Sequence, residues 1–271
     1  MCHAPKCSLL VLDDYVRNAA ISYLARYGHN HVNVYSIPSI IDTPKGFLGE
    51  SKVEGTLNNN TRLLVLPGTI RYNRRDYTGL FTCVDEISKS ANDSTQKSLN
   101  FKVVVTGRSY LKAADGRVYI PEHLRQLIEI QADLPLQSYL TLLAQANFVL
   151  LFANNNQLGY NTNRISSTVP TALGVTTPLV LPQATLSLYA CLKSSSMHNR
   201  VAGKTNCDSM KNALSLSHAD AERMRQETAL CRQSLLDDAY MKLRNLLRLA
   251  EPSLEEPQHK SIVDQCSLLP I

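Results

Sequence analysis

The chain has no tryptophan and only five phenylalanines among its 271 residues. That leaves little from which to build an aromatic platform for stacking nucleic-acid bases. Its 28 lysines and arginines against 23 carboxylates give a formal charge of +5, and no block of like charge gathers them. This argues against a nucleic-acid partner, while a local basic cluster can still hold a phosphorylated ligand. None of the seven cysteines lies in a C-x-x-C pair or beside histidines at metal-ligand spacing. Free thiols in a reducing compartment, the cytoplasm included, are therefore expected, and a metal site is not. No apolar run approaches the roughly 20 residues that span a bilayer. One lysine and then only five apolar residues precede Asp13, too few for a signal peptide. A Walker loop, a nucleophile elbow, an Asp-x-Asp motif and a G-x-G-x-x-G turn are all missing. None of the seven histidines has an acid or serine partner in sequence, so each reads as structural or exposed.

What is present is organised around residues 147–182, NFVLLFANNNQLGYNTNRISSTVPTALGVTTPLVLP. Phe148–Phe152 is short and aliphatic enough for a buried strand. A polar loop follows, with Asn154–Asn156 in a row. Ser166, Ser167 and Thr168 are N-cap residue types, and Pro170 suits a first helical turn. Pro178–Leu181 reads as another buried strand. The unit is strand, long loop, helix, strand. In a parallel sheet, ligands bind at the carboxyl ends of the strands, and a helix start attracts anions. Ser166–Thr168 is thus the expected ligand-facing point.

Elsewhere, strands are expected at Ser8–Leu12, His31–Tyr35, Arg62–Pro67 and Phe101–Gly107, and a short edge strand is possible at Arg200–Ala202. Helical spacing covers Tyr15–Tyr27, Tyr77–Ser88 and Leu136–Ala146. Pro121–Gln131 also reads as helix, with proline in its first turn, and residues 88–98 read as loop. A short helix is expected through Leu188 and Leu192, and another from Asp208. Ser217 is a candidate N-cap for one long or two joined helices over His218–Glu251, with Met224, Leu235, Tyr240, Leu243, Leu246 and Leu247 on the buried side. Strands alternating with helical patterns imply an α/β fold: a parallel sheet with helices on both faces.

The runs PGTIRYNRRDYTGL, FKVVVTG, YLTLLAQANFVLL and SSTVPTALGVTTPLV together resemble the carboxyl-terminal, nucleotide-sugar-binding half of the B-type glycosyltransferases, which pair two Rossmann-like domains. The resemblance implies a Rossmann-like donor domain over residues 61–215 and a helical extension over 216–250. It also implies a remnant of an amino-terminal α/β domain, plus linker, over 1–60, so that an upstream acceptor-binding domain is missing from this chain. Residues 251–271 read as a disordered tail. By resemblance, Gly68 ends the first strand of this half, and Arg74, with Arg75 beside it, contacts the donor's diphosphate. TALGVTTPLV stands where that family has Glu-Ala-Met-Ala-x-Gly-x-Pro-Val-Val. Two glutamates eight positions apart often face the sugar or ribose there. Here those positions hold Asn163 and Thr171, which can hydrogen-bond a hydroxyl but are not carboxylates. Ser166 and Ser167 replace the usual glycine-rich loop. The implied donor-binding set is Gly68, Arg74, Arg75, Asn163, Ser166, Ser167, Thr168 and Thr171, with the nucleotide-sugar as substrate and no metal or further cofactor. The implied function is sugar transfer to an unknown acceptor, whether glycan, protein or lipid. The departures leave a second function open, a transfer-inactive binding or scaffold domain.

Overall fold

The computed structural model describes residues 8–12, 14–30, 32–38, 40, 61–72, 74–93, 100–109, 118–152, 166–183, 185 and 200–250. Two sheets form. A small one pairs β1 (Ser8–Leu12) with β2 (Asn33–Ile37) in parallel, with α1 (Asp14–Arg26) between them in sequence. The main sheet holds β3 (Arg62–Pro67), β4 (Phe101–Gly107), β5 (Ile128–Ala132), β6 (Phe148–Leu150), β7 (Leu179–Pro182) and β8 (Arg200–Gly203). Its order is β5-β4-β3-β6-β7-β8, and all pairs are parallel. The chain builds outward from β3 in one direction, returns to β6 beside it, and builds outward the other way. The β3–β6 pair is therefore the switch point, where α/β sheets open a crevice.

The central strands are apolar without alternation because helices cover both faces. On one face α2 (Tyr77–Asp93) and α5 (Asn206–Ser215) pack Leu80, Val84, Met210 and Ala213 against Leu64, Leu66, Val103 and Phe148. On the other, α3 (Leu136–Gln145), α4 (Thr168–Gly174) and the start of α6 (His218–Ala250) pack Leu143, Val169, Leu173 and Cys231 against Val65, Val149 and Leu179. Arginines terminate two of these helices. Arg62 donates to Ala213 O and Leu216 O at the end of α5. Arg225 of α6 donates to Ala144 O and Ala146 O at the end of α3. Cations belong at carboxyl ends, where carbonyls lack partners.

Several expectations are corrected. Pro121–Gln131 is not a helix: a single 3-10 turn at Glu122–Leu124 leads into β5. The alternation in IEIQA suits an edge strand, and Pro121 only opens the turn. Helix α2 runs on through Ser88 to Asp93, and the Ser88 and Ser90 hydroxyls, which read as loop formers, are taken up by Asp85 O and Glu86 O within the helix. Helix α6 is one helix of 33 residues, about 50 Å long. Ser217 caps it, with Asp220 N donating to the serine hydroxyl. Of its expected buried side, Met224 is buried, but Tyr240, Leu243 and Leu247 are exposed. The distal half of α6 runs past the sheet and meets β2, where Lys242, Asn245 and Leu246 face Arg17, Val34 and Tyr35 across a cleft. Cys83 and Cys207 are not free thiols but a disulfide joining α2 to α5, with Cα atoms 5.4 Å apart, and Cys231 of α6 is disulfide-bonded too. Of the linker expected over Ser36–Asn60, Ser36 and Ile37 instead end β2; residues 41–60, the helix expected through Leu188 and Leu192 and the tail over 251–271 lie outside the described residues.

Candidate functional site

The carboxyl end of β3 turns sharply. Gly68 has φ +123, a conformation side chains rarely adopt, and a Cβ there would lie 2.3 Å from Arg75 Nη2. Gly107 ends β4 with φ +141, and a Cβ on it would lie 2.0 Å from Gly68 O. The two glycines let adjacent strand ends touch, so the following loops run together: Ile70 N donates to Arg108 O at 3.0 Å. The loop after β3 also reaches the end of β6, where Asp76 N donates to Phe152 O at 3.1 Å. Residues 68–72 and 74–76 are thereby fastened over the switch point.

Arg75 folds inward. Its Nη2 donates to Pro67 O and to Thr168 Oγ1, each at 2.8 Å. Two segments 93 residues apart thus meet through one guanidinium, and the residue is only 7% exposed. Burial pushes the Tyr77 hydroxyl up to about 12, against the opposing pull of the Arg75 charge and a hydrogen bond with the Arg71 backbone. Tyr139 is raised for the same first reason and lowered by the same cation. Arg74 is half-buried in the turn whose backbone closes from Arg74 N to Arg71 O at 2.9 Å. Arg108, an alternative basic candidate on this rim, is exposed.

The Ser167 hydroxyl at the start of α4 does not cap it. Ser167, in the helical region at φ −58 and ψ −20, makes no side-chain cap bond. Thr168 Oγ1 instead accepts from Arg75, and Thr171 Oγ1 donates to Ser167 O at 2.7 Å. Ser166, Thr168 and Thr171 are buried and Ser167 is exposed. Helix α4 has only seven residues, so its dipole is short and the arginines carry most of the positive potential here. Gly68, Arg75 and Thr168 therefore converge, with Arg74, Ser166, Ser167 and Thr171 adjoining them in sequence. Asn163 and Asn154–Asn156 lie outside the described residues. No group of three or more histidine, cysteine or carboxylate side chains able to hold a metal occurs among the described residues. No helix among them is long and apolar enough to cross a membrane.

Sequence reasoning missed a neighbouring cleft. Across from α4, on the α2–α5 face, Asp76, Thr82, Thr185, Lys204 and Asn206 line a cavity of about 540 Å³. Its residues come from three separate loops and helix starts, so no local motif announces it.

No family model matches the chain, and no curated protein matches it. Solved structures do. The amino-terminal domain of trehalose-6-phosphate phosphatase from Candida albicans superposes with a TM-score of 0.60 at 13% identity, over 90% of this chain and 58% of that one. Sucrose-phosphate synthase from Thermosynechococcus elongatus gives 0.57 at 12% identity, over 90% and 58%. A trehalose-6-phosphate protein from E. coli bound with UDP-2-fluoro glucose gives 0.57 at 10% identity, over 90% and 61%. The chain thus shares the Rossmann-like fold of the B-type glycosyltransferases and spans about three-fifths of the length of these structures. Identities this low speak to fold alone. One of the three is a domain of a phosphatase, and fold does not fix chemistry.

Proposed function

We propose that the switch-point crevice receives the diphosphate of a nucleotide-sugar, and that the chain is the donor-binding part of a glycosyltransferase. The observation that carries this reading is the Arg75–Thr168 bond, which draws the arginine loop after β3 and the start of α4 to one rim. In this arrangement Arg75 is the buried brace. Arg74 is the cation that meets the diphosphate, with the Ser166–Thr168 turn, Asn163 and Thr171 on the sugar side. Transfer breaks the bond between the anomeric carbon and the diphosphate oxygen and forms one to an acceptor hydroxyl oxygen, whose proton passes to the departing diphosphate or to water. Negative charge gathers on the departing diphosphate, and a fixed guanidinium there lowers the barrier. Arginine suits the task because its fork makes two parallel bonds to phosphate oxygens. Because these cations supply the charge, donor binding proceeds without a divalent ion or further cofactor. Residues 61–215 act as the donor domain, with 1–60 as part of an amino-terminal one. Calorimetric titration with UDP-, GDP- and ADP-sugars, with and without EDTA, tests this. Binding of one donor, weakened about tenfold or more in Arg74→Ala as expected for a lost charged hydrogen bond, supports it. No binding of any donor ends it.

A second reading rests on Thr171. The resemblance places a carboxylate there, and this hydroxyl instead donates to Ser167 O. A domain that binds a donor without transferring its sugar fits that departure. Sugar transfer by the purified chain rules the second reading out.

A further inference from the structure

We infer, independently of the diphosphate reading, that this chain folds and works in an oxidising compartment, where structural disulfides brace both faces of its main sheet. Cys83 of α2 is bonded to Cys207 of α5, 124 residues away. Cys231 of α6 is disulfide-bonded as well. Since Cys83 and Cys207 satisfy each other, Cys231 closes a second, separate bridge. Every cysteine among the described residues is thus oxidised. The two bridges stand on opposite sides of the sheet. Cys83 belongs to the core layer of Leu80, Val84 and Met210, and Cys231 to that of Leu143, Val149 and Leu179.

Burial separates these bonds from catalytic or sensing pairs. A disulfide opens when a thiolate reaches one sulfur and expels the other. Cys83 is 1% exposed and Cys231 0%, so neither sulfur is open to attack in the folded chain. At half-buried Cys207 an attacking thiolate would have to expel Cys83 as an anion into an apolar core, where a thiolate is a poor leaving group. The bridges therefore close before the sulfurs are buried. In each, two thiols give up two protons and two electrons to an oxidant, the disulfide of an exchange protein that becomes a dithiol in turn. Bonds of this kind form and persist in oxidising compartments and are rare where glutathione and thioredoxin keep thiols reduced. The cytoplasm expected from the cysteine spacing is replaced by a lumen or the cell exterior.

Differential alkylation after acid quenching, in the cells that make the full chain, is the test. One reagent is applied before reduction and a heavier one after it, and peptide mass spectrometry reads which each cysteine carries. Cys83, Cys207 and Cys231 should carry only the second reagent, both at rest and after a brief peroxide challenge. Full chain made in a reducing cytosol, with these thiols free, should unfold about 10 °C or more below chain made in a secretory lumen. Thiols that are free at rest and oxidise on challenge mark a cytosolic sensor and overturn the inference. Thiols that stay free throughout overturn it too, as do equal unfolding temperatures for the free-thiol and bridged chains.

Discussion

Replacing Arg75 by methionine and Thr168 by valine, singly and together, probes the joint between β3 and α4. Arg75 Nη2 makes two bonds, to Pro67 O and Thr168 Oγ1. Hydrogen bonds to charged groups contribute about 1.5–3 kcal/mol each, and part of that returns when the buried charge is removed. Arg75→Met should therefore cost about 2–4 kcal/mol. Thr168→Val keeps the side-chain volume and strands one guanidinium bond where Thr168 is 1% exposed, for a cost of about 1–3 kcal/mol. In the double variant the shared bond is lost once, so the two costs should fall short of additivity by about 1–2 kcal/mol. Urea unfolding of the four proteins, with m-values compared to confirm a common transition, measures the cycle. Coupling within about 0.5 kcal/mol, the level of unrelated sites, would mean the guanidinium does not tie the two segments, and the crevice would lose its brace.

Further outcomes follow from other sites. Thr176 sits at φ 58 after α4, where a β-branched residue is strained by about 1–2 kcal/mol; Thr176→Gly should raise stability by about 1 kcal/mol in the same urea assay after the entropic cost of glycine, and a loss would refute the strain. The Tyr77 hydroxyl, raised by burial to about 12, stays neutral in the folded chain when its unfolded counterpart ionises near pH 10. Below that pH the two states bind protons equally. Stability should then fall by about 2–3 kcal/mol between roughly pH 10 and 12, and Tyr77→Phe should flatten that decline. Thiol labelling of the native chain should spare Cys83, Cys207 and Cys231; replacing Cys83 and Cys207 together by alanine, which opens a loop of 124 residues, should cost about 3–5 kcal/mol. Full labelling before unfolding would contradict the disulfide.

The central strands were legible because a parallel sheet covered on both faces demands unbroken apolar runs, and β3, β4, β6 and β7 are such runs. Strand β5 was not, since Ile128–Ala132 lies at the sheet edge and carries Glu129 and Gln131, while Pro121 ahead of it imitates a helix start. The length of α6 was visible, but not where its contact with the sheet ends, so exposed Tyr240 and Leu247 read as core. At the site, residue types pointed to Gly68, Arg75 and Thr168, which do meet. Spacing alone does not say which of two adjacent arginines turns inward. Nor does it distinguish a serine that caps a helix from Ser167, whose carbonyl rather than its hydroxyl takes the local bonds. The Cys83–Cys207 pair and the Thr185 cleft depend on residues brought together only by the fold, and no local pattern marks them.

The most direct measurement is the ³¹P NMR spectrum of UDP, GDP and ADP in the presence of the chain and of its Arg74→Ala and Arg75→Met variants. A crevice that grips a diphosphate should broaden or shift both phosphorus resonances of at least one nucleotide, and either arginine variant should reverse the change. Phosphorus signals that stay in place beside folded wild-type chain, or that move equally with both arginine variants, would contradict the account.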